Sequence, residues 1–451
     1  MKIDSFKAYD IRGRIPDQIN NDIARRIGNA TAEFLGVAGN VVIGRDMRLS
    51  SAAMADAVAE GLMEAGMTVL DIGLCGTEMV YFATAELGAD GGIMITASHN
   101  PADYNGLKLV RELAKPISGD TGLREIRRLA ERDARSVGAT RGERRAVDIF
   151  EDYVRHILGY VDVAGLKPMK LVVNAGNGCA GLAVDGLAPH LPFEFVKIHH
   201  QPDGSFPNGV PNPMLTDNRV STAEAIARSR ADMGIAWDGD FDRCFLFDEH
   251  GTFIEGYYIV GLLAESLLAK NPGGRVVHDP RLTWNTIDIV ERAGGEAVQS
   301  KSGHSFMKET MRKVDGIYGG EMSAHHYFRD FSYADSGMIP WLLVAELMSQ
   351  TGKPLSELVG ERIAKYPASG EINREVADAS ATLEMLRERY GADALQVDDI
   401  DGYSFEFANW RFNIRMSNTE PVIRLNVESR ADMPLMKAKT AEILQAIDSS
   451  Q

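Results

Sequence analysis

What most restricts the fold of this chain is a pattern that occurs three times: short apolar runs that read as buried strands, amphipathic stretches between them, and a polar loop after the third run of each set. In the first set the runs are Val41-Val42-Ile43-Gly44, Thr68-Val69-Leu70-Asp71-Ile72-Gly73 and Gly92-Ile93-Met94-Ile95, and the last opens into Thr96-Ala97-Ser98-His99-Asn100-Pro101. Ile23, Ile27, Ala30 and Phe34 place a helix from about Asn21, and a second helix, capped by Ser50 or Ser51, carries Met54, Val58, Leu62 and Ala65 before closing at Gly66. The second set uses Lys170-Leu171-Val172-Val173, Phe193 to Ile198 and Gly234-Ile235-Ala236-Trp237, and ends in the loop Asp238 to Arg243. The third uses Arg275-Val276-Val277-His278, Ala297-Val298-Gln299 and Gly316-Ile317-Tyr318, and ends in Gly320 to His326.

Strands alternating with helices imply a parallel sheet covered on both faces. Ligands on such sheets bind beyond the carboxyl ends of the strands, so three units that each present one loop there imply a shared cleft. Past Pro367-Ala368-Ser369-Gly370 the pattern changes: a helix around Leu383 to Tyr390 precedes three stretches that alternate like antiparallel strands, at Tyr403 to Phe407, Trp410 to Ile414 and Ile423 to Val427, and a helix near Leu435 to Ile447 follows. The expected fold is α/β, with three similar α/β units of mixed, mostly parallel sheets and a smaller C-terminal α+β domain around a central cleft. The expected divisions are 1–150, 151–255, 256–368 and 369–451.

A formal charge of -16 disfavours nucleic acid and anionic membrane as partners, because both need a basic field. An anionic small molecule would need cations gathered locally, and Arg12, Arg45, Arg48, Lys108, Arg243 and Arg281 fall at or near the loop ends. Cys75, Cys179 and Cys244 are odd in number and scattered, which points to a reducing compartment and small core residues. The N-terminus has no apolar stretch of signal-peptide length, and runs such as Tyr258 to Ala264 and Ile339 to Ala345 fall short of a membrane span. A cytoplasmic location is expected, with monomer and homodimer both open.

Four motifs carry chemistry. Ser98 follows a buried strand in a tight turn; its hydroxyl is a poor nucleophile alone and needs a cation, a proton acceptor and preorganised donors. Asp238-Gly239-Asp240-Phe241-Asp242-Arg243 sets three carboxylates at alternate positions, able to converge on one hard cation, for which Mg²⁺ is the natural choice. A calcium loop fails because Arg243 stands where the sharp turn requires glycine and Cys244-Phe245-Leu246-Phe247 reads as a strand. Glu321 and Ser323 suit a polyol, and His325 titrates near neutrality and is a candidate to move a proton. Arg415-Met416-Ser417-Asn418-Thr419-Glu420-Pro421 with Arg424 groups charge and donors as a phosphate dianion requires. Lys301 to Ser305, with His304, follows a strand and could line the same cleft.

Tyr9 to Gly13, Thr96 to Pro101, Asp238 to Arg243, His278 to Leu282, Gly319 to Phe328 and Ser417 to Pro421, in this order along nearly the whole chain, resemble the phosphohexomutase superfamily. The resemblance implies a phosphoserine at Ser98, Mg²⁺ on Asp238, Asp240 and Asp242 with a phosphoserine oxygen, and catalytic roles for Arg12, His99, Lys108 and His325. It implies that Arg243, Arg281, His304, Glu321, Ser323, Arg415, Ser417, Asn418, Thr419 and Arg424 bind a phosphosugar, the last five of them around its phosphate. The reaction implied is exchange of mannose 6-phosphate and mannose 1-phosphate through a hexose 1,6-bisphosphate, which also serves as activator. Dual use of glucose and mannose phosphates, or a metal-dependent sugar phosphatase, are the alternatives; a sensor without catalysis is disfavoured by the intact Ser98 and aspartates. Glu-Met-Ser at 321–323 goes with mannose or mixed use. Ala324 stands where many relatives have glycine and Ser302 where threonine is frequent.

Overall fold

Helix Asn21–Leu35 forms where an asparagine can cap it: the side chain of Asn20 accepts from Ile23 N, and Gly36 closes the other end at φ 102°. Its apolar stripe, Ile23, Ala24, Ile27 and Ala30, is buried with Met54, Val58, Leu62 and the sheet residues Val41 and Ile93. The computed structural model describes residues 2–36, 38–132, 134–416 and 422–449. They divide into two units, Met1–Phe253 with His325–Gly352, and Ile254–Ala324 with Lys353–Gln451.

In the first unit a six-stranded sheet has the order Ile11–Arg14, Tyr104–Arg111, Gly91–Ile95, Asn40–Arg45, Thr68–Leu74, Arg144–Ala146. Asn40–Arg45 is parallel to both Thr68–Leu74 and Gly91–Ile95. The sheet is mixed as expected, for Tyr104–Arg111 runs antiparallel to Gly91–Ile95 and Ile11–Arg14 antiparallel to it, and these two strands carry Lys108 and Arg12. The helix Ser51–Glu64 departs from expectation. Neither serine caps it, because Ser51 donates to Asp46 Oδ1 at 2.5 Å while Ser50 accepts from Asn105 Nδ2 at 2.9 Å.

A second sheet has Lys170–Asn174 parallel to Glu194–Ile198 and Met233–Trp237, with Cys244–Phe247 antiparallel at its edge. The segment His325–Gly352 adds a hairpin, His326–Phe328 with Ala334–Asp335, and the helix Ile339–Thr351. It is fastened by Glu78, which is fully buried and accepts from the Tyr153 and Ser336 hydroxyls and from the backbone amides of Gly337 and Met338. Burial pushes this carboxyl up to about 8, and the four donors oppose the rise.

In the second unit Arg275–His278 lies parallel to Glu296–Gln299 and to Tyr318–Gly320. Its other sheet is antiparallel, ordered Ile372–Glu375, Val422–Ser429, Trp410–Met416, Tyr403–Glu406, Gln396–Asp398, over a core of Leu386, Phe405, Phe412, Leu425 and Ile443. The first and last of these strands escaped the sequence reading. Among the described residues no helix is long and apolar enough to cross a membrane, and all three cysteines are buried and free.

Candidate active site

Ser98 lies just beyond the carboxyl end of strand Gly91–Ile95, buried, with its backbone in the left-handed region at φ 48°. That conformation costs a residue with a Cβ roughly 1–2 kcal/mol, and one side chain holds it in place. Arg48 donates from Nη2 to Ser98 O at 2.9 Å and Asn100 O at 2.6 Å, and from Nη1 to Pro101 O at 2.7 Å and Tyr104 O at 2.9 Å. Asp46 Oδ2 balances its charge at 3.4 Å from Nε, and the Phe206 ring covers the guanidinium at 5.1 Å. The sequence placed Arg48 among the loop-end cations; the structure gives it to the backbone of the serine loop.

The loop Asp238 to Arg243 leaves strand Met233–Trp237 and crosses the serine loop so closely that a Cβ on Gly239 would come within 2.7 Å of Ser98 O. Only glycine fits there. The Ser98 hydroxyl donates to Asp238 Oδ2 at 2.9 Å and lies 2.9 Å from His99 Nδ1. The serine thus faces the acidic trio.

The three aspartates share one arrangement. Asp238 Oδ2 also accepts from Arg243 Nε at 2.8 Å; Asp240 Oδ2 accepts from Thr77 Oγ1 at 2.5 Å and Lys108 Nζ at 2.6 Å; Asp242 Oδ2 accepts from Lys108 Nζ at 2.5 Å. The Oδ1 atoms of all three are buried with no hydrogen-bond partner among the described residues. One oxygen from each aspartate lies within 4.8 Å of the others. Three carboxylates that converge and each keep an oxygen free of hydrogen bonds among the described residues, with no thiol or imidazole in the trio, fit a hard divalent cation. Burial opposes ionisation of all three. Against it, Arg243 holds Asp238 well below the usual carboxylate range and Lys108 lowers Asp240, whereas burial and the neighbouring Asp240 push Asp242 up to about 6.

Other predicted residues of this unit gather at the same place. Arg12 donates to Asn100 Oδ1 at 2.5 Å and to Asp10 Oδ2 at 2.6 Å. His99 hydrogen-bonds Arg243 Nη2, and burial together with Arg243 pushes its imidazole down to about 4. His325 Nδ1 sits 3.1 Å from Asp335 Oδ2, in a group where it, Asp335 and Asp242 each offer an atom within 4.8 Å of the others. Thr77 was missed by the sequence reading. It opens helix Thr77–Glu86, and its backbone amide donates to Asp240 O at 3.0 Å while its hydroxyl holds Asp240 Oδ2.

The motif Gly320 to His326 is divided, with Glu321 and Ser323 belonging to the second unit. There Arg281, almost wholly buried, donates to Asp279 Oδ2 at 2.7 Å, lies 3.6 Å from Glu321 Oε1 and 3.4 Å from Ser323 Oγ, and reaches Glu371 Oε2 at 3.4 Å. Asp279 also accepts from Met322 N at 2.9 Å, and Glu321 from Gly303 N at 2.8 Å, beside His304 at the start of helix His304–Val314. Ala324 adopts φ 69°, in the left-handed region that favours glycine. Arg415 and Arg424 meet at Glu371, at 3.0 and 3.4 Å. Ser417, Asn418 and Thr419 lie outside the described residues. Glu371 and Asp279 had no place in the predicted site.

A buried serine hydroxyl aimed at a cation-ready carboxylate trio, on sheets whose loops carry the polar groups, defines an α/β enzyme of phosphotransfer type. Comparison with known proteins makes the class particular. Four family models match in succession: phosphoglucomutase/phosphomannomutase α/β/α domain I over 4–136, domain II over 151–251, domain III over 255–366, and the C-terminal domain over 371–446. A phosphomannomutase of Escherichia coli is 60% identical, covering 97% of this chain and 98% of that relative; proteins described as phosphohexose mutases from Xanthomonas campestris are 59% identical over 98% and 99%. The crystal structure of a phosphoglucomutase/phosphomannomutase family protein from Burkholderia thailandensis superposes with a TM-score of 0.89 at 32% identity, covering 99% and 97% of the two chains. The chain belongs to the phosphoglucomutase/phosphomannomutase family, an isomerase of the mutase type with three α/β domains followed by a smaller C-terminal one.

Proposed function

We propose that the chain interconverts mannose 6-phosphate and mannose 1-phosphate through a phosphorylated Ser98 and a hexose 1,6-bisphosphate. The observation that carries this reading is the Ser98 hydroxyl at 2.9 Å from Asp238 Oδ2, beside three carboxylate oxygens left open. Asp238, Asp240 and Asp242, with an oxygen on Ser98, would hold Mg²⁺, which supplies positive charge to the phosphoryl group in transit. The hydroxyl of the sugar attacks phosphorus, the bond from phosphorus to Ser98 Oγ breaks, and His325 takes the hydroxyl proton. Arg12 and Lys108 offset charge on the group as it moves. After the bisphosphate turns over, Ser98 Oγ attacks the phosphorus at the other end, the sugar oxygen recovers a proton, and the 1-phosphate leaves. Arg415 and Arg424, with Ser417, Asn418 and Thr419, hold whichever phosphate is not reacting; Glu321, Ser323, Arg281, Arg243 and His304 bind the sugar. His99, neutral beside Ser98, orients the hydroxyl.

The divisions 1–150, 151–255, 256–368 and 369–451 correspond in this reading to serine, metal, sugar and phosphate functions. Burial of all three free thiols accords with a cytoplasmic enzyme.

Use of glucose phosphates as well is the second reading; Met322, the middle residue of the Glu-Met-Ser loop, is 7% exposed with Asn426 Nδ2 at 3.4 Å from its Sδ, so little of it faces solvent. A coupled assay with mannose 1-phosphate and glucose 1-phosphate on one preparation, primed with bisphosphate, tests the proposal. Turnover of mannose 1-phosphate that is lost in Ser98→Ala is expected. Release of inorganic phosphate without isomerisation would overturn it in favour of a phosphatase.

A further inference from the structure

Arg415 and Arg424 are direct cross-strand partners on Trp410–Met416 and Val422–Ser429. Like charges placed opposite one another on a sheet repel, and Arg281 adds a third guanidinium. One carboxylate meets all three: Glu371 Oε2 is 3.0 Å from Arg415 Nη2 and 3.4 Å from Arg281 Nη1, and Glu371 Oε1 is 3.4 Å from Arg424 Nη1. Its side chain is 13% exposed, that of Arg281 4%, that of Arg415 11% and that of Arg424 27%, so Arg281 and Arg415 act on it with little screening by water and Arg424 with more. Burial raises the Glu371 carboxyl, but Arg281, Arg415 and Arg424 outweigh burial and keep it below its ordinary range, so it is an anion at neutral pH.

The contacts leave a specific part of each arginine over. Glu371 takes terminal nitrogens only, and the Nε atoms of Arg281, Arg415 and Arg424 are buried with no hydrogen-bond partner among the described residues. An Nε with its neighbouring Nη is the edge that grips a phosphate with two parallel hydrogen bonds. Glu371 therefore meets all three guanidiniums through terminal nitrogens and leaves the Nε of each without a hydrogen bond among the described residues.

We propose that Glu371 is a tethered counter-anion of the phosphate clamp: it gathers Arg415 and Arg424, together with the neighbouring Arg281, when no ligand is bound, and weakens their hold on a phosphorylated ligand by opposing its charge. This rests on the reading of Arg415 and Arg424 as the clamp. The weakening has a use in that reading, because the bisphosphate must be released and regripped by its other end in every cycle. A clamp of unopposed guanidiniums would hold a dianion too long.

The test is calorimetric titration of inorganic phosphate into the full-length wild type, Arg415→Met and Glu371→Gln, with steady-state kinetics on the same proteins. Removing one opposing charge a few ångströms from a dianion should tighten phosphate binding about tenfold or more in Glu371→Gln. KM should fall and kcat should fall with it, as release becomes slow. Unchanged or weaker phosphate binding in Glu371→Gln overturns the proposal. If instead Arg415→Met binds phosphate as well as the wild type, it is the clamp reading that fails. Should Glu371→Gln not fold, Glu371→Asp withdraws the charge by one methylene without burying an amide. It must tighten phosphate in the same direction by a smaller factor, and failure to do so overturns the proposal equally.

Discussion

Lys108→Met is the perturbation whose consequences the structure constrains most tightly. Lys108 Nζ lies 2.6 Å from Asp240 and 2.5 Å from Asp242, and its side chain is 12% exposed against 0% and 5% for the two carboxylates. Methionine keeps most of the stem and removes the charge, leaving two buried carboxylates with no fixed cation of their own. Breaking a buried pair in this way costs about 3–5 kcal/mol, and at about 2.1 cal/mol/K of unfolding entropy per residue a 451-residue chain loses about 1 °C of melting temperature per kcal/mol. In EDTA the variant should therefore melt about 3–5 °C below the wild type. A divalent ion changes the comparison. In the wild type it must approach the three carboxylates with an ammonium already bonded to two of them, whereas in the variant it meets the full negative charge. Mg²⁺ at 100 times its dissociation constant stabilises by about 2.7 kcal/mol, and that concentration should be lower for Lys108→Met. The assay is a pair of thermal melts, in EDTA and across a MgCl₂ series, with direct calorimetric titration of Mg²⁺. Two results would refute the reasoning: a metal-free variant within about 2 °C of the wild type, or a Mg²⁺-induced rise no larger than the wild type's.

Arg48→Lys keeps the charge beside Asp46 but cannot span four carbonyls with a planar fork, so the serine loop should loosen; kcat should drop about 10–100-fold with KM within about threefold, and unchanged steady-state kinetics would refute it. Thr77→Val removes the hydroxyl that holds Asp240 Oδ2, and Mg²⁺ affinity by calorimetry should weaken about 10–100-fold and recover in Thr77→Ser; if Val and Ser behave alike, Thr77 does not position the carboxylate. Burial and His325 push His326 down to about 3, well below its unfolded value, so it stays neutral when folded and takes up a proton on unfolding in acid. Its contribution is complete above about pH 6.5 and is lost as pH falls below that value, by about 1.4 kcal/mol at pH 5.5. Chemical denaturation at pH 7.5 and 5.5 should show a loss that is about 1.4 kcal/mol smaller in His326→Gln than in the wild type, and equal losses in the two would refute it.

The strands that precede the reactive loops were legible because they are continuous apolar runs, and the aspartates because three carboxylates at alternate positions form a pattern within six residues. Ile11–Arg14 and Tyr104–Arg111 were not, since both mix charge and glycine and take their form from pairing with each other. Gln396–Asp398 and Ile372–Glu375, short, polar and at the sheet edges, gave no alternation to read. The unread site residues have a different cause. Thr77 is 163 positions from Asp240, and Glu371 is 90 from Arg281 and 44 from Arg415. A threonine opening a helix and a glutamate after Gly370 carry no local mark of such partners. Arg48 was picked out as a cation near a loop end, yet its partners are backbone carbonyls, which have no side-chain signature in sequence.

Lys108 and Glu371 stand in the same relation to their surroundings. Each sets its charge among groups of opposite sign, carboxylates in one case and guanidiniums in the other, and each leaves one atom of every partner without a hydrogen bond among the described residues, Oδ1 on the aspartates and Nε on the arginines. Buried like charges without a counter-ion would either shift their protonation or push the loops apart. Neither remedy suits a site that must be ready for its ligand, since protonated aspartates bind no cation and displaced arginines grip no phosphate. A tethered ion keeps the groups charged and gathered, and it does so at a cost in ligand affinity. The two effects can be separated by experiment: neutralising the tethered ion should destabilise the ligand-free protein and tighten the ligand together, whereas a residue that merely packs would lower stability and leave affinity where it was.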